Sequence, residues 1–202
     1  MRKIAVIYSG SAAHYRTFHE PKFNQYIDKL IYIRDFNETP IDEFDVLIVP
    51  SRLNLKIFET MTKKINDFAN DGGIVVVLGP QPLDWMPHQK WIDEETNFWW
   101  WKEENPKSGL SKKNEDHPLF KYIPLEYATW HQHGRYYPVE GAEILIEKEN
   151  DGAILYIDNV SSKGTWIVTN LDPDHHFGSY FMPATENFLE GLFVYLTMEK
   201  DI

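Results

Sequence analysis

The stretch FDVLIVPSRLNLKIFETMTKKINDFANDGGIVVVLGP (44–80) contains two continuous apolar runs separated by an amphipathic segment. The runs FDVLIVP (44–50) and IVVVLG (74–79) do not alternate between apolar and polar residues, which predicts strands that are buried on both faces. Between them, apolar residues recur at spacings of three, four and three, which predicts a helix with one apolar face. The residues on that face are Phe58, Met61, Ile65 and Phe68.

The chain before this stretch continues the same alternation of strands and helices. IAVIY (4–8) predicts another buried strand, a helix is predicted around residues 20–30, and LIYI (30–33) predicts a further strand. Buried strands that are joined by helices pair in parallel through right-handed crossovers. We therefore predict an α/β fold with a doubly wound, mostly parallel sheet flanked by helices, a flavodoxin-like arrangement.

The second half of the chain predicts antiparallel strands and a closing helix. Three short runs are separated by turns rich in Asn, Asp, Ser and Gly, which predicts an antiparallel meander. These runs are AEILIEK (142–148), AILYID (153–158) and TWIVTNL (165–171). An apolar face from Phe188 to Leu196 predicts a last helix, with Pro183 in its first turn. We expect residues 1–202 to form one domain.

The segment at about 80–130 interrupts this regular pattern. It has no clean periodicity, and five of the seven tryptophans lie between residues 80 and 128. Long irregular segments in compact domains often serve as lids or binding loops. We therefore expect an aromatic-rich excursion over the sheet.

The composition narrows the classes of function. The formal net charge of −11, without a cluster of Lys and Arg, disfavours nucleic acids and anionic membrane surfaces as partners. The apolar run near the N-terminus is too short for a signal peptide or a membrane span, so we expect a cytoplasmic protein. The chain has no cysteine, which excludes disulfides, thiolate metal sites and a cysteine nucleophile.

Several of these motifs together resemble a known superfamily. FDVLIVP, a helix ending in DGG, IVVVLG and the late series GAEIL, DGAILY, KGTWIVTNLDP and FLEGLFVYL are similar to the class I glutamine amidotransferase-like superfamily, and within it to the trehalose-utilisation-protein-like groups. The resemblance covers nearly the whole chain except residues 80–128. It implies the same fold, a catalytic cysteine on the turn after IVVVLG, and a catalytic histidine in a late loop.

The chain departs from that superfamily at the catalytic turn. The turn reads Gly79-Pro80-Gln81-Pro82, so no cysteine, serine or threonine stands where a nucleophile is needed. The two prolines also lack the backbone N–H groups that an oxyanion hole would use. Glutamine hydrolysis by the superfamily's mechanism is therefore excluded. His175 or His176 matches the position of the superfamily's catalytic histidine, and these are our candidate catalytic residues.

The loops after the parallel strands are the expected place for a ligand. Ligands of open α/β sheets bind outside the carboxyl ends of the strands. The polar residues of these loops define a candidate cleft for a small-molecule ligand, which a carbohydrate would fit. The candidate ligand-binding residues are His14, Ser51, Arg52, Gln81, Trp130 and His131.

A metal site is a second expectation. WHQHG (130–134) and LDPDHHFGS (171–179) supply the candidate ligands His131, His133, Asp172 and Asp174, whose imidazole and carboxylate groups suit zinc, manganese or iron. If the second stretch is extended, its adjacent histidines face opposite sides. Turn formation by Asp172-Pro173 with one functional histidine is therefore favoured over a metal site. We expect no organic cofactor, with a divalent metal ion as the alternative.

The tryptophans and the missing nucleophile leave three functions open. For the aromatic segment, packing or an oligomer interface is favoured over stacking on a sugar ring. The first function is a small-molecule binding or accessory protein, with a carbohydrate-like ligand. The alternatives are an enzyme that acts on a carbohydrate-like substrate with histidine, aspartate and a metal, and a structural domain that forms homo-oligomers through its tryptophans.

Overall fold

The computed structural model describes most of the chain. The described residues are 1–81, 83–87, 89–96, 98–180, 182, 184–199 and 202. The expectations for Pro82 and Pro183 therefore lie outside the described residues. None of the described helices is both long and apolar enough to cross a bilayer.

Ten strands of the described chain join in one sheet. The strands are β1 (Ile4–Tyr8), β2 (Lys29–Tyr32), β3 (Val46–Val49), β4 (Ile74–Leu78), β5 (Lys90–Asp93), β6 (Leu110–Lys112), β7 (Gly134–Tyr137), β8 (Glu143–Lys148), β9 (Asp151–Asp158) and β10 (Trp166–Thr169). The main order is β2-β1-β3-β4-β10-β9-β7-β5, and β8 pairs with β9 and β6. Pairing is parallel from β2 to β10 and antiparallel beyond it.

The helices connect these strands and cover the sheet. They are α1 (Ala12–His19), α2 (Pro21–Asn24), α3 (Leu55–Phe58), α4 (Thr62–Asn70), α5 (Pro173–Gly178) and α6 (Ala184–Met198). Short 3-10 turns at Trp100–Lys102, Pro118–Lys121 and Leu125–Ala128 shape the chain between β5 and β7. The predicted α/β class and the predicted antiparallel meander are confirmed.

The first predicted helix is wrong in its bounds. Instead of one helix around 20–30, α1 begins earlier, where the Ser11 hydroxyl accepts a hydrogen bond from the His14 amide at 3.2 Å. Pro21, which has no amide hydrogen to donate, occupies the first turn of α2. The spacing of apolar residues could not predict where α1 begins, because Ser11, which caps the helix, is a polar residue outside that pattern.

The aromatic excursion is partly built into the sheet. β5 pairs with β7 at the sheet edge, and β6 pairs with β8. Neither strand alternates between buried and exposed residues. The period-two pattern that marks strands in a sequence is therefore missing from both.

Two hydrophobic layers, one on each face of the sheet, form the core. Alternate residues of β3 and β4 enter opposite layers, as for Val46 and Leu47. One layer contains the apolar residues of α2, α5 and α6, including Phe177 and Phe188. The other contains those of α3 and α4, including Phe58. Burial on both faces explains why β3 and β4 read as continuous apolar runs.

Helix α5 is held against α1 by a close backbone approach. A Cβ atom at Gly178 would lie 2.0 Å from the carbonyl oxygen of Ala13, so only glycine fits at this contact. The Arg16 guanidinium reinforces it by donating a hydrogen bond to the Phe177 carbonyl at 2.5 Å. This contact fixes the position of α5, the helix that contains His175 and His176.

Gly178→Ala should lower the free energy of unfolding by about 2 kcal/mol, because the added methyl group forces α1 and α5 apart. The measurement is urea unfolding followed by far-UV circular dichroism. Lys56→Ala on the exposed face of α3 is the matched control and should change stability by less than about 0.5 kcal/mol. Equal midpoints for the two variants would contradict the role of this contact.

Candidate metal centre and adjoining pocket

Four parallel strands end at the same edge of the sheet and bring their following loops together. β4 and β10 are neighbours, and the Gly79 amide donates a hydrogen bond to the Leu171 carbonyl at 2.8 Å just beyond them. Gly79 has a φ of +78°, and a Cβ there would lie 2.5 Å from the Cβ of Ser51. The turn that carries a nucleophile in amidotransferases is thus packed against Ser51 here.

The polar stretch after β10 is a helix rather than an extended loop. Pro173 occupies the first turn of α5, and the His176 amide donates to the Asp172 carbonyl at 3.2 Å. Residues four apart share one face of a helix. The condition of an extended chain, under which the adjacent histidines would face opposite sides, is therefore not met, and the side chains of Asp172 and His176 meet.

Asp172 and His176 meet two histidines from the segment that leads into β7. The ligand atoms of His131, His133, Asp172 and His176 all lie within 4.8 Å of one another. The His176 Nε2 is 3.0 Å from Asp172 Oδ1 and 3.1 Å from the His131 Nε2. Asp172 is fully buried. We call these four residues the metal-ligand cluster.

Neighbouring side chains orient the cluster. The Nδ1 of His133 lies 3.1 Å from the Thr96 hydroxyl, and its Nε2 lies 3.9 Å from Asp172 Oδ2. That Nε2 is buried and has no hydrogen-bond partner among the described residues. Arg52 donates to Asp172 Oδ2 at 3.1 Å. A hydrogen bond on one ring nitrogen leaves the other to bind a metal, which is the usual arrangement around metal-bound histidines.

The protonation states of the cluster suit metal binding. Burial and the neighbouring His176 lower the pKa of His131 to about 4, and burial also lowers the pKa of His133. Burial alone would raise the pKa of Asp172, but the hydrogen bond from His176 and the charges of nearby residues hold it below its ordinary value. Neutral imidazoles and an ionised carboxylate are the forms that bind a metal ion.

The spacing of the donors also suits a metal ion. Two nitrogens that each lie ~2.1 Å from one ion are about 3.0 to 3.4 Å apart for angles between right and tetrahedral. The two Nε2 atoms of His131 and His176, at 3.1 Å, fall in that range. Three imidazoles and one carboxylate suit zinc, iron, nickel or manganese.

The other predicted carboxylate, Asp174, has different partners. Its Oδ2 accepts hydrogen bonds from the Ser51 amide and hydroxyl, both at 3.0 Å, and lies 3.1 Å from the His14 Nε2. All three residues are fully buried. Asp174 therefore lies outside the metal-ligand cluster, and His14 and Ser51 face it rather than a ligand cleft. These contacts of Asp174 tie α5 to α1 and to the loop after β3.

A pocket of about 580 Å3 opens beside the cluster. Arg52, Gln81 and His133 line it, together with Asp93, Glu94 and Thr96. Its volume lies within the usual range for small-molecule sites. Of the residues predicted to bind a ligand, Arg52 and Gln81 line this pocket. His131 belongs to the cluster, and Trp130 is buried beside it.

The two candidate catalytic histidines are separated by the helix. His176 belongs to the cluster, whereas His175 lies outside it and is half-buried. Burial lowers the pKa of His175. The sequence indicates His176 as a candidate site residue, but it does not indicate Thr96, whose hydroxyl contacts His133. Proline after Asp172, with histidine four residues after Asp172, is the available sign of a helix that begins there.

No known family model matches this chain, and no curated protein matches it. Among solved structures, a cytoplasmic protein from Salmonella typhimurium LT2 is similar with a TM-score of 0.60 and 15% identity, over 98% of this chain and 100% of that one. A putative ThuA-like protein from Bacteroides uniformis has a TM-score of 0.54 and 15% identity, over 99% and 93%. An exo-β-1,4-mannosidase from Opitutaceae bacterium strain TAV5 has a TM-score of 0.58 and 11% identity.

These likenesses show the fold. The putative ThuA-like protein shares the α/β fold of this chain over almost its whole length. The likeness to the mannosidase covers 99% of this chain but only 37% of that one.

The metal-free protein should lose stability as the pH falls. Because the pKa of His131 is about 4 in the folded protein and about 6.5 in an unfolded chain, the unfolded chain binds more protons between these values. His131 should contribute its full stability above about pH 6.5 and lose about 3 kcal/mol as the pH reaches 4. Urea unfolding of EDTA-treated protein measures this. His131→Gln should show a shallower slope, and an unchanged slope would contradict the assignment.

Arg52 should be a strained position. Its φ of +54° lies in the left-handed region, which costs a residue with a Cβ about 1 kcal/mol. Arg52→Ala and Arg52→Gly both remove the ion pair with Asp172, but only glycine relieves the backbone. We expect Arg52→Gly to be the more stable of the two by about 1 kcal/mol in thermal unfolding. The reverse order would show that the backbone is unstrained.

Proposed function

We propose that this protein is a metal-dependent enzyme whose divalent transition-metal ion is bound by His131, His133, Asp172 and His176. Its substrate is a small carbohydrate-like molecule in the adjoining pocket. The observation that carries the proposal is the convergence of four donor atoms within 4.8 Å at the carboxyl edge of a parallel sheet. That edge is where α/β folds bind their ligands.

The lining of the pocket supports a substrate with several hydroxyl groups. Arg52 and Gln81 offer hydrogen-bond donors, while Asp93 and Glu94 offer carboxylate acceptors. A sugar or polyol presents donors and acceptors in similar number. His133 belongs to both the pocket and the cluster, so a substrate in the pocket would meet the metal ion directly.

Each group has a distinct role in this proposal. The metal ion supplies a Lewis acid that polarises a substrate carbonyl or hydroxyl. Arg52 is half-exposed and lies 3.1 Å from Asp172, so it would both hold that ligand and face substrate oxygens. His175, which is neutral near pH 7 because burial lowers its pKa, is a candidate general base outside the cluster.

One observation favours a second function, that of a binding or accessory protein. All four donors are protein side chains, and four protein ligands in a tetrahedral set are typical of structural zinc sites. A four-coordinate ion would have no position for a substrate, whereas a six-coordinate ion would keep two. X-ray absorption spectroscopy of the metal-loaded protein distinguishes the two coordination numbers.

Metal analysis tests the proposed centre. Wild-type protein incubated with zinc, manganese, iron or nickel and then desalted should retain about one ion per chain. Asp172→Asn and His131→Ala remove a ligand and should reduce retained metal at least tenfold. His19→Ala, an exposed histidine in α1, is the matched control and should retain the wild-type amount.

Stability provides a second readout for the same variants. A metal at one hundred times its dissociation constant should stabilise the wild-type protein by about 2.7 kcal/mol and Asp172→Asn by no more than about 1.4 kcal/mol. Wild-type protein that retains none of the four metals would refute both proposed functions of the cluster. Retained metal with four-coordinate geometry would refute the enzyme and leave the binding protein.

A further inference from the structure

A second cavity, of about 610 Å3, lies next to the metal-ligand cluster. Its walls are almost entirely aromatic or apolar: Phe98, Trp99, Trp100, Trp101, Trp130 and Met182. Phe98 connects it to the cluster, because its ring centroid is 4.7 Å from that of His131 and 6.1 Å from that of His133. The cavity therefore adjoins the proposed metal centre, with the Phe98 ring between them.

The aromatic rings of this cavity are exposed yet held in place. Phe98, Trp99 and Trp101 are 48%, 60% and 52% exposed. The Lys102 ammonium lies 4.3 Å from the Trp99 ring and 5.2 Å from the Trp101 ring, within the range of cation–π attraction. Exposed aromatic faces that are ordered in this way form a preorganised surface for a flat apolar group.

The few polar groups in the wall limit what binds there. The Thr129 hydroxyl already donates to the Glu126 carbonyl at 3.0 Å. The Trp130 Nε1 is buried and has no hydrogen-bond partner among the described residues, although buried indole N–H groups usually have one. A sugar ring would bring many hydroxyl groups that this wall does not satisfy. A flat aromatic ring with one oxygen acceptor fits better.

We propose that the aromatic cavity binds the aryl group of a substrate whose polar part occupies the pocket beside the metal-ligand cluster. The substrate class is then an aryl-substituted carbohydrate, such as an aryl glycoside. The position of the polar part rests on the proposed function, whereas binding of the aryl group rests on the cavity alone. Phe98 stands between the two parts.

Fluorine NMR of protein labelled with 5-fluorotryptophan tests where an aryl group binds. The probe is phenol, added to metal-free protein, with resonances assigned by single Trp→Phe variants. Phenol should shift the resonances of Trp99, Trp101 and Trp130, and leave those of Trp85 and Trp166 unchanged. No shift of the cavity resonances up to about 20 mM phenol, which saturates a millimolar site, would overturn the proposal.

Substitutions of the exposed rings test their contribution. Phe98→Ala and Trp101→Ala should each weaken phenol binding about five- to tenfold, because each removes one stacking face. Tyr15→Ala, an equally exposed aromatic residue of α1, is the matched control and should bind phenol as the wild type does. Equal affinities for all three variants would overturn the proposal.

Two further comparisons separate this proposal from its alternatives. Resonances of the cavity that shift with protein concentration and not with phenol would show that a second copy covers it, which overturns the aryl site. Phenyl β-glucoside should bind metal-loaded protein more tightly than methyl β-glucoside does, and equal affinities would overturn the substrate class. Asp172→Asn should still bind phenol. Wild-type protein that retains no metal but still shows the phenol shifts would refute only the proposed function.

Discussion

One backbone hydrogen bond, from the Gly79 amide to the Leu171 carbonyl at 2.8 Å, extends the pairing of β4 and β10 past the ends of both strands. The hydrogen bond fixes Leu171, so the next residue, Asp172, lies fully buried where the two strands end. Gly79 permits this approach because it has a positive φ and no Cβ to collide with Ser51. The same contact packs the turn after β4 against Ser51 and places Asp172 beside it.

The two carboxylates at the start of α5 have different partners and different roles. Asp174 accepts two hydrogen bonds from Ser51 and contacts His14, so it ties α5 to the loop after β3 and to α1. Asp172 faces the histidines and remains ionised because its hydrogen bond and the nearby charges outweigh the cost of burial. A buried carboxylate is stable only with such partners, and a metal ion would add a further one.

Much of the fold could be predicted from the sequence because its signals are local. Continuous apolar runs mark β1, β3, β4 and β10, and the spacing of apolar residues in α4 marks a helix. β5 and β6 carry no such signal, because β5 is mostly exposed on both faces and all three residues of β6 are half-buried, so neither strand has a hydrophobic period. Three residues of the metal-ligand cluster, His131, His133 and Asp172, are predicted as candidate ligands. His176 is predicted as a candidate catalytic residue, and its place in the cluster depends on the chain after β10 being helical.

The sequence by itself determined the α/β class, the absence of a cysteine nucleophile, and the histidines and aspartates available to the site. Only the tertiary structure decided their grouping, since His131 and His176 are 45 residues apart and meet through the packing of β10, α5 and β7. It likewise separated Asp172 from Asp174 and placed Phe98 between the histidines and the tryptophans. The local sequence determines the hydrophobic period of each strand and helix and which of its faces is buried. Contacts between residues far apart in the sequence depend on the order of the strands in the sheet.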